Sequence, residues 1–299
     1  MRQHREQGMR LPIHMPAGVG ELADHYNGFI CDVWGVLHDG VAAYPGAARC
    51  LGELRRRGKP VALLSNAPRA AQRVADRLGE LGIARELYKA IVTSGDAAVG
   101  ALRRGSDPWH AGLGEACFYL GPERDLAVLR DSGRRGVALE AADFILCTGL
   151  FDEARETPDS YGELFRRALA RKLKFVCANP DRVVNRGPAL VYCAGALADR
   201  YQDLGGEVRR HGKPDAAVFR LAAAALGLSA GARLLVVGDG LNTDLAGAAA
   251  AGFDALWVLD GIHAQELAAD GRPVDAERVA AFLAKAQRRA VAAVERFAW

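Results

Sequence analysis

The stretch FICDVWGVLHDG, residues 29–40, is an apolar run that reaches a carboxylate and then turns. Phe29–Val33 carries no polar side chain except Asp32, which suits a strand buried on both faces. Asp32 stands at or just past the strand end. The glycine-containing loop behind it can turn backbone amides toward an anion. Taken alone, such an aspartate is as readily a turn or helix cap as a catalytic group.

Outward from this stretch the pattern repeats. Candidate strands are Phe29–Val33, Val61–Leu64, Ala90–Val92, Cys117–Leu120, Phe144–Cys147, Lys174–Cys177, Leu190–Cys193, Leu234–Val237 and Ala255–Leu259. Amphipathic segments lie between them: Ala47–Arg57, Ala70–Leu81, Ser160–Arg171, Ala216–Leu226 and Thr243–Ala251. Val279–Phe297 also reads as an amphipathic helix, with Trp299 as its anchor. Strand alternating with helix predicts an α/β fold with a mostly parallel sheet. Polar residues punctuate the strand ends: Asp32, then Ser65 and Asn66, then Asp239. Ligands of open α/β sheets bind outside the carboxyl ends of the strands. These residues are therefore expected to converge on one crevice.

Composition narrows the function. Half of the 299 residues are hydrophobic and a quarter are charged, the balance of a soluble globular chain of one large domain or two ordinary ones. A net charge of +3 gives no reason to expect a nucleic-acid or membrane-surface partner. No apolar run reaches the roughly 18 residues of a membrane span. The start, MRQHREQGMRLPIHMP, is polar and basic, lacks the apolar stretch of a secretory signal, and predicts a flexible tail over residues 1–17. The cysteines at 31, 50, 117, 147, 177 and 193 have neither zinc-knuckle nor redox spacing. They read as small buried hydrophobes in a reducing compartment, the cytoplasm. Gly18–Ala23 fits a loose dinucleotide pattern but follows a proline-containing tail rather than a strand, so it fails the context that pattern needs.

Three further fragments carry chemistry. VALLSNAP (61–68) offers a hydroxyl and an amide at the second strand end. HGKP (211–214) holds Lys213, one of six lysines in an arginine-rich chain, before a proline suited to a helix start. LLVVGDGLNTDLAGAAAAG (234–252) places Asp239 and Asp244 around a loop between strand and helix. Two carboxylates converging with a third suggest a hard-cation site of the Mg²⁺ kind.

Together, and in this order, the four fragments resemble the motifs of the haloacid dehalogenase-like superfamily from about residue 20 to 265. The chain is most similar to its NagD-like class, class IIA, in which a large α/β cap is inserted between the second and third motifs. About 145 residues separate Asn66 from Lys213, and TSGDAAVGALRRG (93–105), CANPD (177–181) and YCAGAL (192–197) resemble that insert. The resemblance implies a Rossmann-like core of residues 18–92 and 206–299 and a cap of residues 93–205. It implies a phosphatase that attacks a small phosphorylated metabolite through an aspartyl-phosphate on Asp32, with Mg²⁺ as cofactor. Ser65 and Lys213 match phosphate-binding groups, and Lys213 also matches the residue that holds the nucleophile. Asn66 matches an assisting group. Asp239 and the backbone carbonyl of Trp34 match metal ligands beside Asp32, and Asp244 a supporting carboxylate. Asn179 and Asp181 match the cap loop that faces substrate. The class also implies a homodimer.

One position departs from the pattern. Phosphatases of the family carry a second aspartate two residues after the nucleophile, as general acid and base, and here Trp34 stands there. Such catalysis contributes about 10²–10⁴-fold. His38 and, less favourably, His211 are the sequence's candidate replacements, because imidazole titrates near neutral pH. Two other functions compete. One is a binding or sensor protein that keeps the phosphate site without turnover. The other is a metal-independent, dehalogenase-type hydrolase, whose branch also has an aromatic residue at this position. The pair Asp239 and Asp244 speaks for the metal-dependent reading.

Overall fold

The computed structural model describes residues 13–105, 107–269 and 271–299. Its strands in chain order are β1 (Gly28–Asp32), β2 (Val61–Ser65), β3 (Ala90–Thr93), β4 (Ala116–Leu120), β5 (Arg135–Gly136), β6 (Phe144–Cys147), β7 (Lys174–Cys177), β8 (Val183–Arg186), β9 (Ala189–Tyr192), β10 (Val208–Arg210), β11 (Leu234–Gly238), β12 (Asp254–Val258) and β13 (Ala292–Val294). Six of them form one sheet in the order β13-β12-β11-β1-β2-β3, and five a second in the order β10-β7-β6-β4-β5. Every pairing in both sheets is parallel, while β8 and β9 form a separate antiparallel hairpin. The fold is α/β.

The position of β1 decides where a ligand can bind. Its neighbours are β2, the next strand in sequence, and β11, which arrives some 200 residues later. The chain thus leaves β1 in one direction and returns on its other side, which opens a crevice at the carboxyl end of the strand. Asp32 is the last residue of β1. The strand is buried on both faces: Phe29 and Cys31 pack on one side with Leu51 and Leu54, and Ile30 on the other with Phe219 and Trp257. A continuous apolar run is what such a double burial requires.

Four expectations need correction. Residues 1–12 lie outside the described residues, but 13–17 are no loose tail: Ile13 and Met15 pack on the core, and Ala293 N–H donates to His14 O at 2.9 Å. The insert extends past residue 205, because Val208–Arg210 pairs with Phe175–Cys177 in the second sheet. Leu190–Cys193 reads as a buried strand, yet β9 is a largely exposed hairpin arm completed by β8. Finally, Val279–Phe297 is not one helix. The helix Ala276–Lys285 ends before Gln287, whose φ of 55° is left-handed, and the chain continues as the edge strand β13. There Ala292, Ala293 and Val294 are buried, and ladder bonds to β12 replace helical ones.

Phe297, just beyond β13, is 1% exposed within the core that supports β1. Phe297→Ala should therefore cost about 3–5 kcal/mol in urea unfolding. A loss below about 1 kcal/mol would mean that the C-terminal segment is not part of the core.

Candidate active site

Asp32 is 6% exposed, and its Oδ1 accepts the Val33 N–H at 2.7 Å. The same oxygen lies 2.6 Å from Lys213 Nζ. Lys213 is 2% exposed and also reaches Asp244 Oδ1 at 2.8 Å. Burial works against its charge, but Asp244, Asp32 and Asp181 outweigh that and hold its pKa above the ordinary lysine value. Asp239 follows β11 and is 6% exposed; its Oδ2 accepts the Ile262 N–H at 2.8 Å and its carbonyl the Trp257 indole N–H at 2.9 Å. Gly35 makes room for it. A Cβ there would lie 2.1 Å from Asp239 Oδ2, and its φ of 89° already favours glycine.

Asp244 comes from a wide turn, Leu241–Leu245, in which Leu245 N–H reaches back five residues to Gly240 O. Such π-type turns recur at functional sites. The sequence predicts an ordinary helix from Thr243; the regular helix begins only at Ala246. The widening lets Asp244 turn inward, where Oδ2 accepts the Gly240 N–H at 3.1 Å while Oδ1 holds Lys213.

Asp32, Asp239 and Asp244 present carboxylate oxygens within 4.8 Å of one another. Three buried carboxylates face one ammonium. Burial, then Asp244, pushes the Asp32 carboxyl well above its ordinary range and the Asp239 carboxyl up to about 7. A buried cluster short of positive charge, with hard oxygen donors only, fits a small divalent cation of the Mg²⁺ type.

Asn66 ties the pieces together. Its Oδ1 accepts Lys213 N–H at 2.8 Å and Ser94 Oγ–H at 3.0 Å, and its Nδ2 donates to Asp181 Oδ1 at 2.7 Å. One amide thus joins the second motif, both connections to the insert, and the cap loop. Ser65 Oγ accepts the Ala67 N–H at 3.2 Å, and Asn179 Oδ1 the Asp181 N–H at 3.1 Å.

Two chambers open on this cluster. Asp32, Trp34, Asp181 and Val184 line both. The first, about 270 Å³, adds Thr243, Arg210 and His263; the second, about 70 Å³, adds Ser65, Asn179 and Arg186. Trp34 is fastened between core and insert: its indole N–H donates to Asn185 O of the hairpin at 2.5 Å. Gly187 N–H, at the hairpin turn, donates to Asp39 O at 3.2 Å. A chain of charges, Arg69–Asp125–Arg124–Glu153–Arg186, runs along the second chamber from core to hairpin. Its members are too scattered in sequence to have been singled out.

The structure brings Asp32, Ser65, Asn66, Asn179, Asp181, Lys213, Asp239 and Asp244 to one place. It does not bring the two histidines there. His38 is buried, edge-on to Trp34, and its Nδ1 accepts the Gly40 N–H at 2.9 Å; burial lowers its pKa to about 4. It orders the loop after β1. His211 turns to His110, Nε2 to Nε2 at 3.2 Å, and burial lowers its pKa to about 4 as well.

A family model described as haloacid dehalogenase-like hydrolase matches residues 29–135, and one described as HAD-hydrolase-like matches residues 210–286. A solved hydrolase of the haloacid dehalogenase-like family from Brucella suis 1330 is 35% identical, with 94% of this chain and 99% of that one covered and a TM-score of 0.80. The chain belongs to the haloacid dehalogenase-like hydrolase family. Within it the similarity extends to ribonucleotide monophosphatase NagD of Escherichia coli (strain K12), 27% identical over 242 residues, 78% of this chain and 87% of NagD. The glycerol phosphate phosphatase Rv1692 of Mycobacterium tuberculosis, solved with magnesium, is 27% identical, covers 86% of this chain and 77% of its own, and has a TM-score of 0.62. The haloacid dehalogenase-like assignment accounts for the order of strand-end polar residues around β1.

Removing Lys213 leaves buried carboxylates without their cation. Lys213→Met should cost about 3–5 kcal/mol in urea unfolding measured in chelator. A change below about 1 kcal/mol would mean that the carboxylates do not depend on it.

Proposed function

We propose that this protein is a Mg²⁺-dependent phosphohydrolase that cleaves a small phosphorylated metabolite through an aspartyl-phosphate on Asp32. The observation that carries the reading is the Asp32 carboxylate at the end of the central strand, 2.6 Å from a buried lysine and beside two further carboxylates. Lys213 keeps Asp32 in place and offers its charge to the transferring phosphoryl group. Ser65, which lines the second chamber, carries a hydroxyl suited to a phosphate oxygen. Asp32, Asp239 and the Trp34 carbonyl would hold Mg²⁺, with Asp244 in support. When bound, the ion supplies positive charge against the phosphate oxygens. Chambers of about 270 and 70 Å³ under an inserted cap suit a small molecule better than a macromolecule. NagD and the glycerol phosphate phosphatase, by their names, act on phosphorylated small molecules.

Cytoplasmic residence and a homodimer belong to the same reading. The six cysteines are free and buried, and no helix among the described residues is long and apolar enough to cross a membrane. Leu190 and Tyr192 on the hairpin are exposed apolar side chains that a second copy would cover.

The test is phosphate release from p-nitrophenyl phosphate and a metabolite panel, with Mg²⁺ and with chelator. Wild-type turnover should need the metal, and Asp32→Asn should lower it by at least about 10³-fold. Turnover that persists in chelator would overturn the metal dependence. Saturable, Mg²⁺-dependent binding of a phosphorylated ligand without product would make the protein a binder.

A further inference from the structure

When a phosphoryl group passes from an alcohol to Asp32, the leaving oxygen needs a proton. Position 34 does not supply one: the Trp34 indole N–H is bonded to Asn185 O. His38 faces its own loop and lines neither chamber. Of the other acidic groups on the chamber walls, Asp239 belongs to the cation cluster and the rest are engaged in ion pairs. Asp125 and Glu153 pair with Arg69, Arg124 and Arg186, and Asp199 pairs with Arg182 and Arg210. His263 reaches only the first chamber and stands edge-on to Trp257 and Phe282.

Asp181 is different. It lines both chambers with Asp32 and takes part in no ion pair among the described residues. The cap loop holds it firmly, with its N–H on Asn179 Oδ1 at 3.1 Å and its carbonyl accepting Gly195 N–H at 2.9 Å. Asn66 Nδ2 orients the carboxyl through Oδ1 at 2.7 Å. The charged groups that act on it are Lys213, Asp244 and Asp239. Desolvation raises its pKa above the ordinary aspartate value, Lys213 and the Asn66 bond oppose this, and Asp244 adds to it.

We propose that Asp181, carried by the cap, is the general acid and base of this site and does the proton work that position 34 does not. The assignment rests on the phosphohydrolase reading. In the first half-reaction an Asp32 oxygen bonds to phosphorus, the bond from phosphorus to the alcohol oxygen breaks, and that oxygen takes the proton of the Asp181 carboxyl. The alcohol leaves. In the second, the Asp181 carboxylate takes a proton from water, the water oxygen bonds to phosphorus, and the bond from phosphorus to Asp32 breaks. Phosphate leaves and both side chains return to their starting states. Catalysis thereby becomes conditional on cap closure, since the nucleophile comes from the core and the proton from the insert.

The experiment compares p-nitrophenyl phosphate, whose phenolate leaves without help, with the alkyl phosphate that wild type turns over fastest. Asp181→Asn keeps an oxygen for Asn66 and removes only the proton. It should lower kcat on the alkyl phosphate by about 10²–10⁴-fold and on p-nitrophenyl phosphate by less than about tenfold. Asp181→Glu should recover part of the alkyl activity. An equal loss on both substrates, no loss, or a wild type that cleaves p-nitrophenyl phosphate but no alkyl phosphate would overturn the assignment. A wild type without any Asp32-dependent turnover would overturn the phosphohydrolase reading with it.

Discussion

The ammonium of Lys213 is the pivot of this molecule. It lies in the interior between Asp32 and Asp244, with Asp239 and Asp181 close by. Removing any of these ions from water is costly, and only close pairing in good geometry offsets that cost. The strand ends, the wide turn at Leu241–Leu245 and the loop around Asn66 all serve that geometry. The balance is incomplete, since the buried carboxylates outnumber the one buried ammonium. That deficit is the physical ground for a cation site, and it exists in the side chains independently of any family likeness.

The same residue sits at the joint of the insert. Gly212 precedes Lys213 with a φ of 119°, and a Cβ there would lie 1.9 Å from Ser94 Oγ, so only glycine fits where the chain re-enters the core. Ser94 opens the helix that follows β3, and Asn66 accepts from both Ser94 and Lys213. The two connections to the insert and the electrostatic centre therefore share one hydrogen-bonded knot. Trp34 reinforces the link from the other side. Its indole reaches for the cap hairpin.

Much of this was legible in the sequence because buried parallel strands leave a plain trace. The runs Phe144–Cys147 and Lys174–Cys177 match their strands end for end, and Asp32, Ser65 and Asp239 mark strand ends that do converge. What escaped has weak local signals. Val208–Arg210 is three residues long and two of them are arginines, so its strand state comes from pairing with β7 rather than from its own pattern. Ala292–Val294 follows a genuine helical pattern, and the left-handed turn at Gln287 that separates them is carried by no glycine or proline. The wide turn at Asp244 is likewise set by inward contacts to Lys213 and Gly240 that no spacing announces. His38 misled because proximity in sequence to Asp32 is not proximity in the crevice. Asp181 was visible as a cap-loop residue, but its place on both chamber walls was not.

The charge deficit at the carboxylate cluster can be tested without knowing a substrate. Calorimetric titration of the metal-free protein with Mg²⁺ should show one saturable site, lost in Asp239→Asn, which removes one charge from the cluster while preserving its shape. A protein that binds no Mg²⁺, or an Asp239→Asn variant that binds it as the wild type does, would contradict the account.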